Sequence, residues 1–245
     1  MITAYHRPKT LDEALTLLTQ PNTLPLGGGT LLSKATTSSV EAVDLQSLGL
    51  DTIQKSGQNL ELGATLTLQS LLESEHCPPA LKSALKLEAP LNIRNSATVA
   101  GTLVSCDGRS TFVSVLLAMD AKITMISKQS SVIGVGEFLP LRPRGLITQI
   151  TIPLNIKLAF DYVARTPSDK PIVCVAVAGW ASGRTRLVVG GYGKSPMLAM
   201  DGTEAEGLET AARNAFHEAT DEWASAEYRM DVAATLAKRC LESIS

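Results

Sequence analysis

Residues 25–34, PLGGGTLLSK, place three consecutive glycines between a short apolar segment and a predicted helix start. A strand is predicted at Leu24–Leu26, directly before Gly27–Gly29, and a second strand at residues 40–45, VEAVDL. This order predicts a small β-α-β unit whose glycine turn follows the carboxyl end of a strand. Open α/β sheets bind ligands at that edge. The turn is therefore a candidate ligand site, and the alternative is a flexible bend that binds nothing.

The common nucleotide-binding patterns do not match this turn. Both the P-loop and the dinucleotide fingerprint would need a glycine at the position of Leu32. A second glycine-rich stretch, GGYGKS at residues 190–195, contains Gly-Lys-Ser. Its first P-loop glycine would fall on Val188, and Pro196 follows where the phosphate-binding helix should continue. We interpret this stretch as the end of a strand.

Composition excludes several classes of function. The chain has 245 residues, 44% of them hydrophobic, and a formal net charge of −2. This charge provides no electrostatic basis for binding nucleic acid or an anionic membrane. No apolar run reaches the length of a membrane span, and the first ten residues lack the apolar region of a signal peptide. We therefore expect a cytoplasmic protein.

The chain is poor in catalytic side chains. Its three histidines lack the spacing of a metal site, and no nucleophile-elbow motif is present. The four cysteines are too scattered for a disulfide framework, a zinc site or an iron–sulfur cluster held by this chain alone. We interpret them as buried or half-buried thiols: Cys77, Cys106, Cys174 and Cys240. Glycine turns without a catalytic constellation suggest a protein that positions a cofactor, which then carries the chemistry.

A second turn of small residues, ATVAGT at 97–102, precedes the apolar helix predicted at 111–120, TFVSVLLAMD. Its small side chains leave backbone N–H groups uncovered, as close approach to a pyrophosphate requires. Two such turns on different subdomains can hold one pyrophosphate between them. The alternative is a tight turn whose residues are small because of packing.

The order of predicted elements divides the chain into three parts. Residues 1–50 form the small β-α-β subdomain with the first turn, including a helix capped by Thr10 and Glu13. Residues 51–155 form a larger α+β subdomain with the second turn. Strands are predicted within 51–64, on both sides of a turn at Gly57, and at 121–127 and 146–153, and helices at 65–74 and 80–89. Residues 156–245 form a C-terminal α+β domain in which three antiparallel strands precede two helices.

The sequence resembles the FAD-binding medium subunit of the molybdenum hydroxylases, a family that includes carbon monoxide dehydrogenase and xanthine dehydrogenase. GGGTLL at residues 27–32 is similar to the family motif A-G-G-T-D/N-L. IRNSATVAGTL at 93–103 resembles I-R-N-x-A/G-T-I/V-G-G-N/S-L/I. Weaker similarities continue in order along the chain, up to the closing helix at 225–241.

The resemblance implies the fold, the cofactor and the partners. The fold is α+β, a two-subdomain FAD-binding fold followed by a C-terminal domain with a three-stranded antiparallel sheet and helices. The partners are a molybdenum-cofactor large subunit and a [2Fe-2S] small subunit, whose electrons pass through FAD to an external electron acceptor. The implied cofactor-binding residues are Leu26, Gly27, Gly28, Gly29, Thr30, Leu31, Thr98, Val99, Ala100, Gly101, Thr102 and Thr111.

The sequence departs from the family pattern at four places. Leu31 replaces an acid or amide, Ala100 replaces a glycine, and Thr111 stands where an aspartate is usual. The segment LPLRPR, 139–144, is shorter than the family's loop near the flavin ring. These departures motivate an alternative, a scaffold or docking module without cofactor, and a stand-alone FAD oxidoreductase is a third reading.

Three basic residues are candidates to neutralise phosphate charge. They are Lys34, Arg94 and Arg109. Single cations of this kind are more often solvated or paired at the surface.

Overall fold

A computed structural model describes residues 1–32 and 39–245. Its strands form three sheets of three, five and four strands, with helices packed against them. This is the mixed helix and sheet arrangement that the sequence predicts. Among the described residues, no helix is both long and apolar enough to cross a membrane.

The first sheet is parallel and has the order β1-β3-β2. Its elements are β1 (Ile2–His6), α1 (Leu11–Leu18), β2 (Thr23–Leu26) and β3 (Val40–Asp44). Thr10 caps α1 as predicted, because its hydroxyl accepts a hydrogen bond from the Glu13 amide at 3.3 Å. The sequence pattern did not reveal β1. The helix predicted to start at residues 31–35 lies mostly outside the described residues.

The second sheet is antiparallel, with the order β4-β5-β8-β6-β7. Its elements are β4 (Ile53–Ser56), β5 (Asn59–Gly63), α2 (Leu68–Glu73), α3 (Pro79–Glu88), α4 (Leu91–Arg94), α5 (Val99–Ser105), α6 (Thr111–Ala118), β6 (Lys122–Ile126), β7 (Ser130–Gly134), α7 (Val135–Leu141) and β8 (Leu146–Pro153). The predicted strands and the helices α2, α3 and α6 are confirmed. The predicted turn at 97–102 instead becomes the start of α5, because the Thr98 hydroxyl caps a helix there.

The C-terminal sheet has four antiparallel strands, not the three that the sequence predicts. Its elements are β9 (Lys157–Val163), β10 (Val173–Gly179), β11 (Thr185–Gly190), β12 (Met197–Gly202), α8 (Leu208–Asn214) and α9 (Ala226–Ile244). The additional strand β12 lies at the edge of the sheet and exposes Met197 and Leu198. It therefore lacks the alternation of buried and exposed residues by which a half-buried strand is recognised.

The two central strands of the C-terminal sheet, β10 and β11, are buried on both faces. Ala176 and Ala178 of β10 join the core beneath the five-stranded sheet, in which all of α6 is buried. The alternate residues Val175 and Val177 belong to the core that contains α8 and α9, and β10 packs directly on α9. One face of β10 therefore packs against α6, the helix that follows α5. The other face packs against α9.

The stretch GGYGKS begins at Gly190, the last residue of β11, which agrees with its interpretation as the end of a strand, and continues into the loop after it. It closes against the loop between α5 and α6, since the Gly191 amide donates to the Gly108 carbonyl at 2.6 Å and the Gly108 amide to the Gly193 carbonyl at 2.9 Å. A Cβ built on Gly108 would lie 1.8 Å from the Tyr192 carbonyl oxygen. Glycine is needed here for close contact between two backbones.

Candidate cofactor-binding cleft

The first glycine turn follows β2 at the carboxyl edge of the parallel sheet. Gly29 has a φ of +71°, a left-handed conformation that glycine adopts at little cost. A Cβ on Gly28 would lie 1.5 Å from the Ser96 carbonyl oxygen, and one on Gly27 would lie 2.8 Å from the Thr98 hydroxyl. The structure therefore brings the two predicted turns into direct contact.

The second turn uses its backbone donors within the chain. The Val99 amide donates to the Leu66 carbonyl at 2.9 Å, and the Ala100 amide to the Ala64 carbonyl at 3.3 Å. The Gly101 amide donates to the Thr98 hydroxyl at 3.1 Å. The Thr102 amide donates to the Thr98 carbonyl at 2.9 Å. These four N–H groups are not the uncovered donors that the sequence predicted.

The first turn is different. Its Gly27 and Gly28 amides make no hydrogen bond to another of the residues that the structure describes. The Leu26 carbonyl, in contrast, accepts from the Leu45 amide at 3.0 Å, which ties the end of β2 to β3. Successive free N–H groups at the end of a strand form a concave site suited to an anion.

A cleft with a volume of about 290 Å³ lies beside the two turns. Its described walls are mostly apolar and contain no charged side chain. The lining residues are Leu24, Pro25, Leu26, Gly27, Gly28, Gly29, Thr30, Leu31, Leu32, Leu45, Ala64, Thr65, Thr98, Ala100, Gly101, Val104, Ser105, Gly145, Leu146 and Ile147. Such a cleft favours a ligand with large apolar or aromatic parts and a few polar groups.

Nine of the twelve predicted site residues line this cleft. They are Leu26, Gly27, Gly28, Gly29, Thr30, Leu31, Thr98, Ala100 and Gly101. Val99, the first residue of α5, does not line the cleft because it is fully buried in the core. Thr102 also lies outside the lining, in the interior of α5.

Thr111 does not lie at the cleft. It is fully buried, and its hydroxyl donates to the Ala84 carbonyl at 2.7 Å. The carboxylate of Glu88 accepts hydrogen bonds from the Ser110 hydroxyl and the Phe112 amide, and it lies 3.2 Å from the Thr111 hydroxyl. The first turn of α6 is thus capped from α3, and Thr111 serves that packing instead of a ligand.

The described basic candidates are also held elsewhere. Arg94 donates to Gln69 Oε1 at 2.9 Å and to the Ala89 carbonyl at 2.7 Å. Arg109 donates to the Lys170 and Pro171 carbonyls and stacks over Trp223 at 4.6 Å. Lys34 lies outside the described residues. Neither described arginine lines the cleft.

Several lining residues were missed from the sequence because they come from distant elements. Ala64 and Thr65 follow the end of β5, and Gly145 precedes β8. Small residues at strand ends were the available signal. The sequence did not show that β5 pairs with β8. This pairing places the end of β5 beside the start of β8.

The four cysteines are buried free thiols, as interpreted from the sequence. Burial raises the pKa of Cys77, Cys174 and Cys240 to about 12. Burial likewise raises the pKa of Cys106 to about 11, although the nearby Arg142 lowers it in part. Thiols with such pKa values are almost entirely protonated at neutral pH, so they are poor nucleophiles and metal ligands.

Comparison with known proteins shows the family of the chain. Residues 1–155 match the family described as the FAD binding domain in molybdopterin dehydrogenase. The chain belongs to this family. The matched residues contain both turns and all of the residues that line the cleft, and FAD is the cofactor of this chain.

Relatives match over nearly the whole chain. YgfM of Escherichia coli K12, an uncharacterised protein, is 26% identical over 96% of this chain and 94% of its own length. The carbon monoxide dehydrogenase medium chain of Afipia carboxidovorans is 24% identical over 97% and 95%. A structure of reconstituted CO dehydrogenase from Oligotropha carboxidovorans superposes with a TM-score of 0.83 at 24% identity, covering 98% of this chain and 96% of that one. The superposition confirms the α+β fold.

The residues present fit FAD. The Gly27 and Gly28 amides suit a diphosphate, and no described lining residue carries a negative charge that would repel it. Leu26, Leu31 and Val104 supply apolar surface beside these donors. The fit is chemical: backbone donors for the phosphates and apolar walls for the rest of the molecule.

Proposed function

We propose that this chain is the FAD-binding subunit of a molybdenum-hydroxylase-type oxidoreductase. In this role it passes electrons from [2Fe-2S] clusters of a partner subunit through FAD to an external acceptor. The observation that carries the proposal is the contact between the Gly27–Gly28 turn and Ser96–Thr98 at the mouth of the cleft. A relative named as the medium chain of carbon monoxide dehydrogenase supports the place in a larger complex.

The two turns have different tasks in this proposal. The first turn donates the Gly27 and Gly28 amides to the diphosphate. The second turn, at the start of α5, closes the other side, with small side chains at Ala100 and Gly101 that permit close approach. The residues proposed to contact FAD are Leu26, Gly27, Gly28, Gly29, Thr30, Leu31, Thr98, Ala100 and Gly101.

When bound, FAD supplies the redox chemistry, since flavins accept and release electrons. The chain's own residues bind and orient the cofactor and exclude water from part of its surface. Leu31 stands at the rim with 49% of its surface exposed, so apolar contact replaces the polar contact that an acid or amide would make there. We propose that substrate oxidation takes place on the molybdenum-cofactor large subunit, and that the isolated chain is inactive toward substrate.

An absorbance spectrum of the purified chain, with and without added FAD, tests the proposal. We expect flavin absorbance close to one equivalent per chain after excess FAD is removed. A chain that stays colourless after incubation with FAD would refute the flavin role. Partner subunits that co-purify with such a colourless chain would identify a scaffold.

Electron transfer is tested on the reconstituted complex. We expect substrate to reduce the flavin only when the large and small subunits are present. Reduction of the flavin by a small substrate in the isolated chain would contradict the proposal and identify a stand-alone oxidoreductase.

A further inference from the structure

Arg142 makes an unusual set of hydrogen bonds from the short segment LPLRPR. Its guanidinium donates to the Val104 carbonyl at 2.7 Å and to the Cys106 carbonyl at 2.9 Å. It also donates to the Lys194 carbonyl at 3.2 Å. One side chain thus joins the end of α5 to the loop after β11 of the C-terminal domain.

Two of the carbonyls that Arg142 contacts, those of Val104 and Cys106, lie at the C-terminal end of α5. The last carbonyls of a helix lack partners within it and carry a partial negative charge, so an arginine there satisfies and stabilises them. A helix of seven residues is not stable by itself and depends on such tertiary contacts. The position of α5 is therefore determined at both ends, by the Thr98 cap and by Arg142.

The backbone of Arg142 is also fixed. Its φ is +40°, a left-handed conformation that is uncommon for a residue with a side chain. The Arg142 amide donates to the Phe138 carbonyl at 2.7 Å and so ends α7. This geometry aims the guanidinium back at α5.

The helix held in this way forms one wall of the cleft. Thr98, Ala100 and Gly101 line it from the start of α5, and Val104 and Ser105 line it from the end. Arg142 itself is not among the lining residues. A shift at the end of α5 would move Val104 and Ser105 directly and would also disturb the contact of Thr98 with Gly27.

We infer that Arg142 is a positioning residue for the cofactor: it holds α5 in the place that FAD binding requires. The inference rests on the proposed function only in its use of FAD as the ligand. The short loop then has a defined task, because Arg142 couples α7 and the C-terminal domain to the wall of the cleft.

The experiment compares four variants of the full chain. R142A removes the hydrogen bonds, and R142K keeps the charge with fewer donors. R144A is the matched control in the same loop, because Arg144 makes no hydrogen bond to another described residue. S225A removes the N-cap of α9 in the C-terminal domain and lowers stability far from α5.

Two quantities are measured, the Kd for FAD by flavin fluorescence and hydrogen exchange of residues 99–105 without FAD. We expect R142A to raise the Kd about tenfold and to speed exchange in α5. R142K should fall between R142A and the parent, while R144A and S225A should stay within about twofold of the parent Kd.

An R142A variant with the parent's Kd and exchange in α5 would overturn the inference. So would an S225A variant that loses as much affinity as R142A, since general destabilisation would then explain the effect. If R142A does not fold, R142K decides by the same two measurements. If the parent chain binds no FAD, the proposed function fails, and exchange in α5 still tests the task of Arg142.

Discussion

Single residues at the contact between the turns decide whether the cleft can form. The backbones at Gly28 and Ser96 approach so closely that no side chain fits between them. Gly27 lies against the Thr98 hydroxyl, which also accepts from the Gly101 amide. Thr98 therefore links the first turn to the start of α5 through one oxygen atom.

Replacing Gly28 with alanine tests this contact. The added Cβ would lie 1.5 Å from the Ser96 carbonyl oxygen, so one of the two backbones must move. We expect the Kd for FAD to rise at least about tenfold, because overpacking of this kind costs about 1–3 kcal/mol. The measurement is a fluorescence titration with FAD.

Gly134 provides the control for that variant. A Cβ there meets nothing closer than 3.6 Å, and its φ of −73° suits any residue. G134A should bind FAD like the parent chain. Equal affinities of G28A and the parent would show that the contact between the turns does not shape the site.

The cysteines provide a second prediction at this scale. Because burial raises every thiol pKa to about 11 or 12, iodoacetamide should label the native chain slowly at pH values near 8. All four thiols should react in denaturant. Mass spectrometry of the labelled protein measures both, and we expect Cys106 to react first in the native state. Fast native labelling at Cys174 would contradict the burial described here.

At the scale of elements, α5 is the part of the site that the sequence described least well. The small residues at 97–102 correctly marked a close backbone approach, but the sequence predicts a turn there because Gly101 and Thr102 have low helix propensities. The Thr98 cap and the two bonds from Val99 and Ala100 to the loop after β5 make a helix there. Those bonds depend on tertiary contacts, which local patterns do not contain.

Local sequence patterns also explain which other elements were predicted and which were missed. The strands β2, β3, β5, β6 and β8 and the helix α6 follow apolar patterns, and the sequence predicts them. The exposed strand β4 is predicted from the turn at Gly57 that joins it to β5. The edge strands β1, β7 and β12 are short and partly exposed, so their patterns are weak. The family pattern implies that Thr111 belongs to the site. Its hydroxyl instead donates to the carbonyl of Ala84, a residue distant in sequence, and a local pattern does not contain that contact.

Removal of the Thr98 hydroxyl tests the start of α5. T98A loses the helix cap and should lower the free energy of unfolding by about 1 kcal/mol and weaken FAD binding. T98S keeps the hydroxyl and should restore most of both quantities. Urea unfolding and FAD titration of the two variants provide the measurements. Identical behaviour of T98A and T98S would argue against a role for the hydroxyl.

At the scale of the whole molecule, an ion-pair network joins the end of α6 to the C-terminal sheet. Asp120, after α6, lies 2.6 Å from Arg186 of β11 and 3.1 Å from Arg184, which directly precedes β11. Asp201 on β12 contacts Arg184 at 2.8 Å. The side chain of Arg186 is only 4% exposed, so its loss of a partner is costly.

D120N tests this connection. Asparagine tolerates the positive φ of 55° at this position but removes the charge beside a buried arginine. We expect unfolding in urea to become easier by about 2 kcal/mol. D231N is the control, because Asp231 and Arg213 also lie 2.6 Å apart but are exposed, and such pairs contribute about 0–1 kcal/mol. Equal losses of unfolding free energy in D120N and D231N would contradict the distinction between the buried and the exposed ion pair.

The network also predicts a response to acid. The hydrogen bond from Arg184 lowers the pKa of Asp201 below its usual 3.8. A lowered carboxylate pKa stabilises the fold above the unfolded-state pKa, and this contribution is lost as the pH falls through the folded-state pKa. Urea midpoints at about pH 5 and about pH 3 should therefore differ less in D201N than in the parent chain. The same pH dependence in both proteins would contradict this assignment.

The most direct measurement of the central claim is a crystal structure of the chain with FAD. We predict the diphosphate within hydrogen-bond distance of the Gly27 and Gly28 amides, with the start of α5 on its other side. FAD bound with its diphosphate away from this turn would contradict the account of how the cofactor is held.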